Sequence, residues 1–363
     1  MTSREGQNVT GRLGYVRGLD GLRAVAVAAV VIFHATDDWL RGGFLGVDVF
    51  FVLSGFLITS QLLAEWRSHG RIDVCAFWRR RARRILAALY IVLVGTLTYA
   101  LLVHPEEVAV FRGDALAAFA YVANWYFIFH NQPYFETVAH PSPLIHLWSL
   151  GVEEQFYLLW PLLLAPALLF LRRWTFLLVL VLAAGSCALM AILYQPSVDP
   201  SRVYYGTDTH ASGLLLGALL AFFWRPGPAQ RPSLGGPGPI LTRLRAQLVP
   251  TVLFDLLALA MLATLTYSFV AANDSQSFLY RGGFTLVALI TAVCVVAVSH
   301  PRALLLTAIL ELPPVRWLGR RSYSVYLWHW PVVVFTRPGE VTISGLPLLA
   351  LRIGLSLLLA EVS

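Results

Sequence analysis

The chain of 363 residues contains no lysine, so all 27 of its basic side chains are arginine. Charge of either sign is scarce, at 13% of residues against 58% hydrophobic, and the mean hydropathy is +0.68. A soluble surface needs far more charge than this, so the composition describes a polytopic membrane protein, an all-α helical bundle facing lipid. The three cysteines, Cys75, Cys187 and Cys294, lie far apart with no Cys-x-x-Cys pair. That spacing argues against a disulfide framework and against a thiolate metal site. The formal charge of +7 is concentrated between apolar runs, so it reads as topology and contact with anionic lipid headgroups rather than nucleic-acid binding.

A bilayer-spanning helix needs about 20 mostly apolar residues. Ten stretches reach that scale, near 19–38, 44–64, 85–103, 148–171, 175–194, 209–224, 248–270, 280–299, 322–337 and 345–362. With ten spans, Arg4, Arg12 and Arg17, the run from Arg79 to Arg84, and Arg172, Arg173, Arg225, Arg231, Arg243, Arg245, Arg302, Arg316, Arg320 and Arg321 all fall on one side. Both termini are therefore expected in the cytoplasm, with the chain multi-pass in the inner (plasma) membrane. The count treats 111–130, which is aromatic and interrupted by Arg112, Asp114 and Asn124, as a non-spanning interfacial or re-entrant helix. The Pro-, Gly- and Arg-rich stretch 225–247 reads as a flexible loop, and no cleavable signal peptide or internal repeat is evident. Residues 1–363 are expected to form one transmembrane domain.

Several ionisable residues lie inside these spans, where they are costly and mark function. Arg23 and His34 are eleven residues apart, about three helical turns or roughly 16 Å, and share one face. Asp20 is placed to pair with Arg23. In the next span, Asp48 is expected to line a cavity or meet a base, while the glycines around Ser54-Gly55-Phe56 permit close helix packing. Five arginines follow within six residues, Arg79, Arg80, Arg81, Arg83 and Arg84. Arg80 with Arg83, or Arg81 with Arg84, stand at i,i+3 and can grip a polyphosphate. Farther on, His146 and Glu153 share a helix face, with Glu154 about 100° around it. Trp148, Tyr157 and Trp160 read as interfacial belt aromatics, and His329 between Trp328 and Trp330 as an interfacial structural residue.

Gly18-Leu-Asp-Gly-Leu-Arg-Ala, Gly46-Val-Asp-Val-Phe-Phe-Val-Leu-Ser-Gly-Phe56, Arg80-Arg-Ala-Arg-Arg-Ile85, His146 through Pro161, Tyr204-Tyr-Gly-Thr-Asp-Thr-His210 and Leu318 through Pro331 resemble, in order, the motifs of the acyltransferase-3 family of integral membrane O-acyltransferases. The resemblance runs from about residue 14 to the end. It implies ten spans, an acyl-CoA donor used from the cytoplasm, and transfer to a hydroxyl of an extracytoplasmic glycan, glycolipid or related acceptor in a bacterial envelope; no metal is expected, because no Glu-x-x-His or paired-His helix spacing supports a site at His34, His146 and His329. It places the family's essential histidine and arginine on His34 and Arg23, its serine motif on Ser54, Gly55 and Phe56, its arginine pair on Arg81 and Arg84, and its acidic motif on Glu153 and Glu154. Three departures stand out: Ala87 where proline is frequent, His210 where arginine is expected, and an end at Ser363 where the family continues, from which a C-terminal truncation is expected.

An alcohol attacking a thioester needs a base, so His34 is the expected general base or, alternatively, an acyl relay. Asp20, Asp48 and Glu153 complete the expected catalytic set, with Glu153 facing His34 or the acceptor hydroxyl. Arg23, Arg80, Arg81, Arg83 and Arg84 with Ser54, Gly55 and Phe56 are expected at acyl-CoA, and His146, Glu154, Tyr205, Asp208 and His210 at the acceptor. A proton-coupled transporter is the competing reading, since intramembrane His, Asp and Arg also mark proton relays, but it calls for two matched halves that the sequence lacks.

Overall fold

The computed structural model describes residues 15–36, 39–135, 141–225, 240–300 and 302–363. Among the described residues every regular element is helical, the α-helices being α1 Arg17–Ala35, α2 Gly46–His69, α3 Val74–Val103, α4 Val108–Phe119, α5 Ala123–Phe129, α6 Trp148–Phe170, α7 Thr175–Leu193, α8 Ser201–Tyr205, α9 Thr207–His210, α10 Ser212–Phe223, α11 Ile240–Ala271, α12 Phe284–Val298, α13 Leu304–Leu310, α14 Pro313–Phe335 and α15 Gly345–Val362. Among the described residues, seven stretches are long and apolar enough to cross a bilayer: Arg17–Ala35, Gly43–His69, Val74–Val103, Arg172–Leu193, Thr251–Ala271, Leu279–Val298 and Gly345–Val362. Each coincides with an expected span. The other three expected spans are helices of lower apolar content or length. Glu153, Glu154, Gln155 and two prolines dilute α6, α10 has only 12 residues, and α14 carries Arg316, Arg320 and Arg321.

Segment 111–130 is two short helices, α4 of 12 residues and α5 of 7, broken where Tyr121 takes a positive φ of 58°. Neither is long enough to cross a membrane. The expected loop 225–247 falls largely outside the described residues, and α11 has already begun at Ile240. The arginine run is helical too. After α2 ends on Gly70 (φ 66°), Asp73 caps α3 by accepting the Ala76 N–H at 2.9 Å, so α3 starts well before residue 85 and carries Arg79 to Arg84 in its first turns.

The middle of the bundle is α1 and α2. Gly55 of α2 meets the backbone of α10 at Leu214, and Gly217 of α10 meets α2 at Val52, so a side chain at either position would strike main chain. The same device joins α14 to α1, with Gly319 against the Asp20 backbone. α14 therefore runs parallel to α1, with residue 319 beside Asp20 and residue 329 beside His34. The outer helices α3, α7, α11 and α15 present Val94, Leu102, Val181, Leu256 and Leu358 outward, the apolar surface that lipid tails cover.

Proline leaves a carbonyl without its helical donor four residues earlier. In α14, Pro331 orphans Leu327, and His146 Nε2 donates to that carbonyl at 3.1 Å. In α6, Pro161 orphans Tyr157, and Trp78 Nε1 donates to it at 3.3 Å. Both repairs cross between helices, so two kinks double as interhelical ties.

Candidate active site

Two polar clusters lie at opposite ends of α1. The first surrounds Arg23, which pairs with Asp20 at 3.9 Å, while the Tyr15 hydroxyl donates to the same Asp20 carboxylate. Arg81 stacks over the Tyr157 ring, 3.9 Å from its centroid. Glu153 accepts from Ser54 Oγ at 2.9 Å and from the Tyr157 hydroxyl at 3.3 Å. Arg81, Arg23 and Glu153 are within electrostatic reach of one another, as is Arg84 of both arginines. The result is a mixed cluster with three arginines offset by Asp20, Glu153 and Glu154, whose Oε1 is buried without a hydrogen-bond partner among the described residues.

The second cluster surrounds His34 at the other end of the helix. His34 lines a cavity of about 700 Å³ together with Tyr134, Phe135 and Trp330, and Asn131, Gln132, Asn273 and Asp274 supply polar atoms. His34 Nδ1 lies 3.0 Å from the Val30 carbonyl, which can only accept, so Nδ1 carries the proton. Nε2 is then the lone pair, and the Tyr134 hydroxyl donates to it at 2.9 Å. Trp330 holds one wall, its ring 4.8 Å from His34 and its Nε1 donating to the Ser142 carbonyl at 2.8 Å.

Several expectations need correcting. Glu153 does not face His34: its seven-residue offset from His146, which lies in the turn before α6, sets it about 10 Å farther on, at the arginine cluster. His146, expected at the acceptor, is 0% exposed, serves the Leu327 carbonyl and does not line the cavity. Glu154 sits beside Arg81 and Glu153, away from the cavity. Trp148, Tyr157 and Trp160 are all buried and form no interfacial belt. His329 is likewise fully buried and bonds to His34 Nδ1 at 3.1 Å.

The remaining site calls separate in the same way. Arg80 is exposed and pairs with Glu65 at 3.7 Å, and Arg83 and Arg84 are exposed as well, but Arg84 lies within electrostatic reach of Arg23 and Arg81, so the i,i+3 pair that meets the cluster is Arg81 with Arg84. Gly55 and Phe56 pack between helices, leaving Ser54 as the polar contribution of that motif. Asp48 meets a base, His210, at 2.9 Å, and the other ring nitrogen of His210 donates to the Tyr204 carbonyl at 2.6 Å. Position 210 thus still opposes an acid with a base, but neither residue lines the cavity. Tyr205 is buried among Phe127, Trp148 and Tyr134, and Asp208 pairs with Arg202 at 2.8 Å.

Tyr134 was not legible in the sequence, and His329 is more than the interfacial structural residue expected of it. Tyr134 sits in an irregular segment with no periodic signal. His329 did carry one, since a histidine inside an apolar run deserves the reasoning that singled out His34.

The chain matches the family pattern described as an acyltransferase domain over residues 16–360. It is 44% identical over 352 residues to the peptidoglycan O-acetyltransferase OatA of Listeria monocytogenes, covering 96% of this chain and 54% of that protein. It is 41% identical over 355 residues to the putative peptidoglycan O-acetyltransferase YrhL of Bacillus subtilis, at 96% and 54% coverage. With O-acetyltransferase OatA of Staphylococcus aureus the identity is 38% over 352 residues, at 96% and 56%. The chain spans about half the length of these curated relatives. No solved structure matches it. A pattern matched over almost the whole chain places this protein in the acyltransferase-3 family.

Proposed function

We propose that this chain is a membrane O-acetyltransferase unit that takes an acetyl group from cytoplasmic acetyl-CoA and delivers it to a hydroxyl of cell-wall glycan, peptidoglycan being the acceptor that the relatives' names supply. Both termini lie in the cytoplasm on this reading, which the one-sided arginines support. Arg23, Arg81 and Arg84 meet the phosphates of the donor at the cytoplasmic end. Ser54 and Glu153 hold that cluster together. The pantetheine arm then runs along α1 toward His34, and the cavity receives the acceptor from the other side, its aromatic and amide side chains suiting a sugar.

The observation that carries this reading is the His34 Nε2 lone pair, turned to a cavity wall about 16 Å along α1 from Arg23. The Tyr134 hydroxyl bonded to it occupies the position an acceptor hydroxyl must reach. As the acceptor oxygen bonds to the acyl carbon, its proton passes to Nε2, the C–S bond breaks, and the CoA thiolate leaves and is protonated. Acetyl transfer from labelled acetyl-CoA to soluble glycan fragments, measured in proteoliposomes, tests it. His34→Ala is expected to lower turnover by about 10²–10⁴-fold, the span of general-base contributions. A folded His34→Ala protein at full rate removes the proposal.

A further inference from the structure

We propose that His329 is the positioning residue of His34, filling the place that the acid holds behind the histidine of a hydrolytic triad. This rests on the reading of His34 as the base. His329 Nδ1 lies 2.5 Å from the Tyr326 carbonyl, which can only accept, so Nδ1 carries the proton and Nε2 of the neutral ring is the acceptor. His34 Nδ1–H is shared between the Val30 carbonyl at 3.0 Å and this lone pair at 3.1 Å. A single direction of donation therefore runs from the Tyr134 hydroxyl to His34, from His34 to His329, and from His329 to a backbone carbonyl. No nitrogen is used in two senses.

This arrangement matters once His34 gains a proton at Nε2. The positive ring then needs a strong acceptor at Nδ1. The Val30 carbonyl nearby already belongs to the α1 ladder, since Val30 and His34 are one helical turn apart. The imidazole lone pair of His329 has no such prior commitment. His329 forms and breaks no covalent bond, and it is absent from the cavity wall, so it acts only through His34.

The ring is also held in place. His146 packs edge-on against it, with centroids 5.4 Å apart. The Tyr326 hydroxyl, bonded to Ser149 at 2.6 Å and to the His146 carbonyl at 2.9 Å, ties the same turn of α14 to α6. A histidine that merely filled space would not need its ring orientation fixed from both nitrogens.

The test compares His329→Phe, which fills the site without an acceptor, with His329→Gln, whose side-chain oxygen reaches the Nε2 position. Both are assayed for kcat and KM for acetyl-CoA in proteoliposomes, after monodispersity is established, beside His34→Ala and the double variant His34→Ala/His329→Phe. The expected result is a kcat lowered about 10–100-fold by Phe, the range for partners that orient a reactive histidine. KM for acetyl-CoA should stay within about twofold, because the donor phosphates lie at the other end of α1, and Gln should recover most of kcat. The double variant should be no slower than His34→Ala alone, as expected for residues acting as a unit. A wild-type kcat in His329→Phe, or equal losses in Phe and Gln, overturns the inference. Full activity in His34→Ala instead overturns the reading beneath it. If the phenylalanine variant does not fold, His329→Leu makes the same comparison.

Discussion

Replacing His146 with leucine tests whether a histidine of one helix completes the hydrogen-bond ladder of another. Pro331 supplies no N–H, so the Leu327 carbonyl depends on His146 Nε2 at 3.1 Å, and both residues are 0% exposed. Leucine removes the donor while keeping the space filled, and the carbonyl is then buried without a partner. A buried polar group left unmet costs about 1–3 kcal/mol in soluble proteins. Interhelical hydrogen bonds inside membranes measure lower, averaging about 0.6 kcal/mol with a ceiling near 1.7. The Leu327 case belongs at the upper end, because the proline prevents the helix from making its own repair. The expected loss is about 1–2 kcal/mol, a factor of roughly 5–30 in the folded ratio. Unfolding by SDS titration in bicelles, followed by circular dichroism, measures it. The decisive comparison is the Pro331→Ala background, where Leu327 regains a helical N–H and His146→Leu should cost less than about 0.5 kcal/mol. An equal loss in both backgrounds refutes the reasoning.

Two further outcomes follow from the geometry. Arg81→Lys keeps the charge but loses the planar group stacked on Tyr157, so KM for acetyl-CoA should rise about five- to tenfold in vesicle assays, while exposed Arg80→Ala should change it by less than about twofold. Gly217→Leu drives a side chain into the α2 backbone at Val52, and the loss should exceed about 2 kcal/mol, read as a lowered SDS midpoint, whereas Gly185→Leu, on α7 with open space around it, should be nearly neutral.

Much of the bundle was legible because membrane helices are locally determined. Length, apolarity and backbone self-satisfaction are properties of one segment at a time, so the seven spans recognised by composition and length each coincide with an expected one. Segment 111–130 was legible as non-spanning for the same reason. The three expected spans of lower apolar content or length, α6, α10 and α14, lie next to α1 and α2; α6 supplies Glu153, with His146 in the turn just ahead of it, and α14 supplies His329. Helices that carry function in the interior dilute their own apolar signal.

By itself the sequence determined the membrane class and the stripe on α1 that places Asp20, Arg23 and His34 on one face, because helical phase follows from spacing alone. It also singled out, through the resemblance, the motifs that gather at the arginine cluster. Only the tertiary structure decided depth and partner. Phase put Glu153 on the face of His146, but the packing of α6 against α2 and α3 set it beside Ser54 and Arg81 and left the His34 end to His329 and Tyr134. A helix fixes the angle of a side chain from local geometry; its neighbours at each level depend on where separate helices cross, and close contacts such as Gly319 on the Asp20 backbone set that in three dimensions.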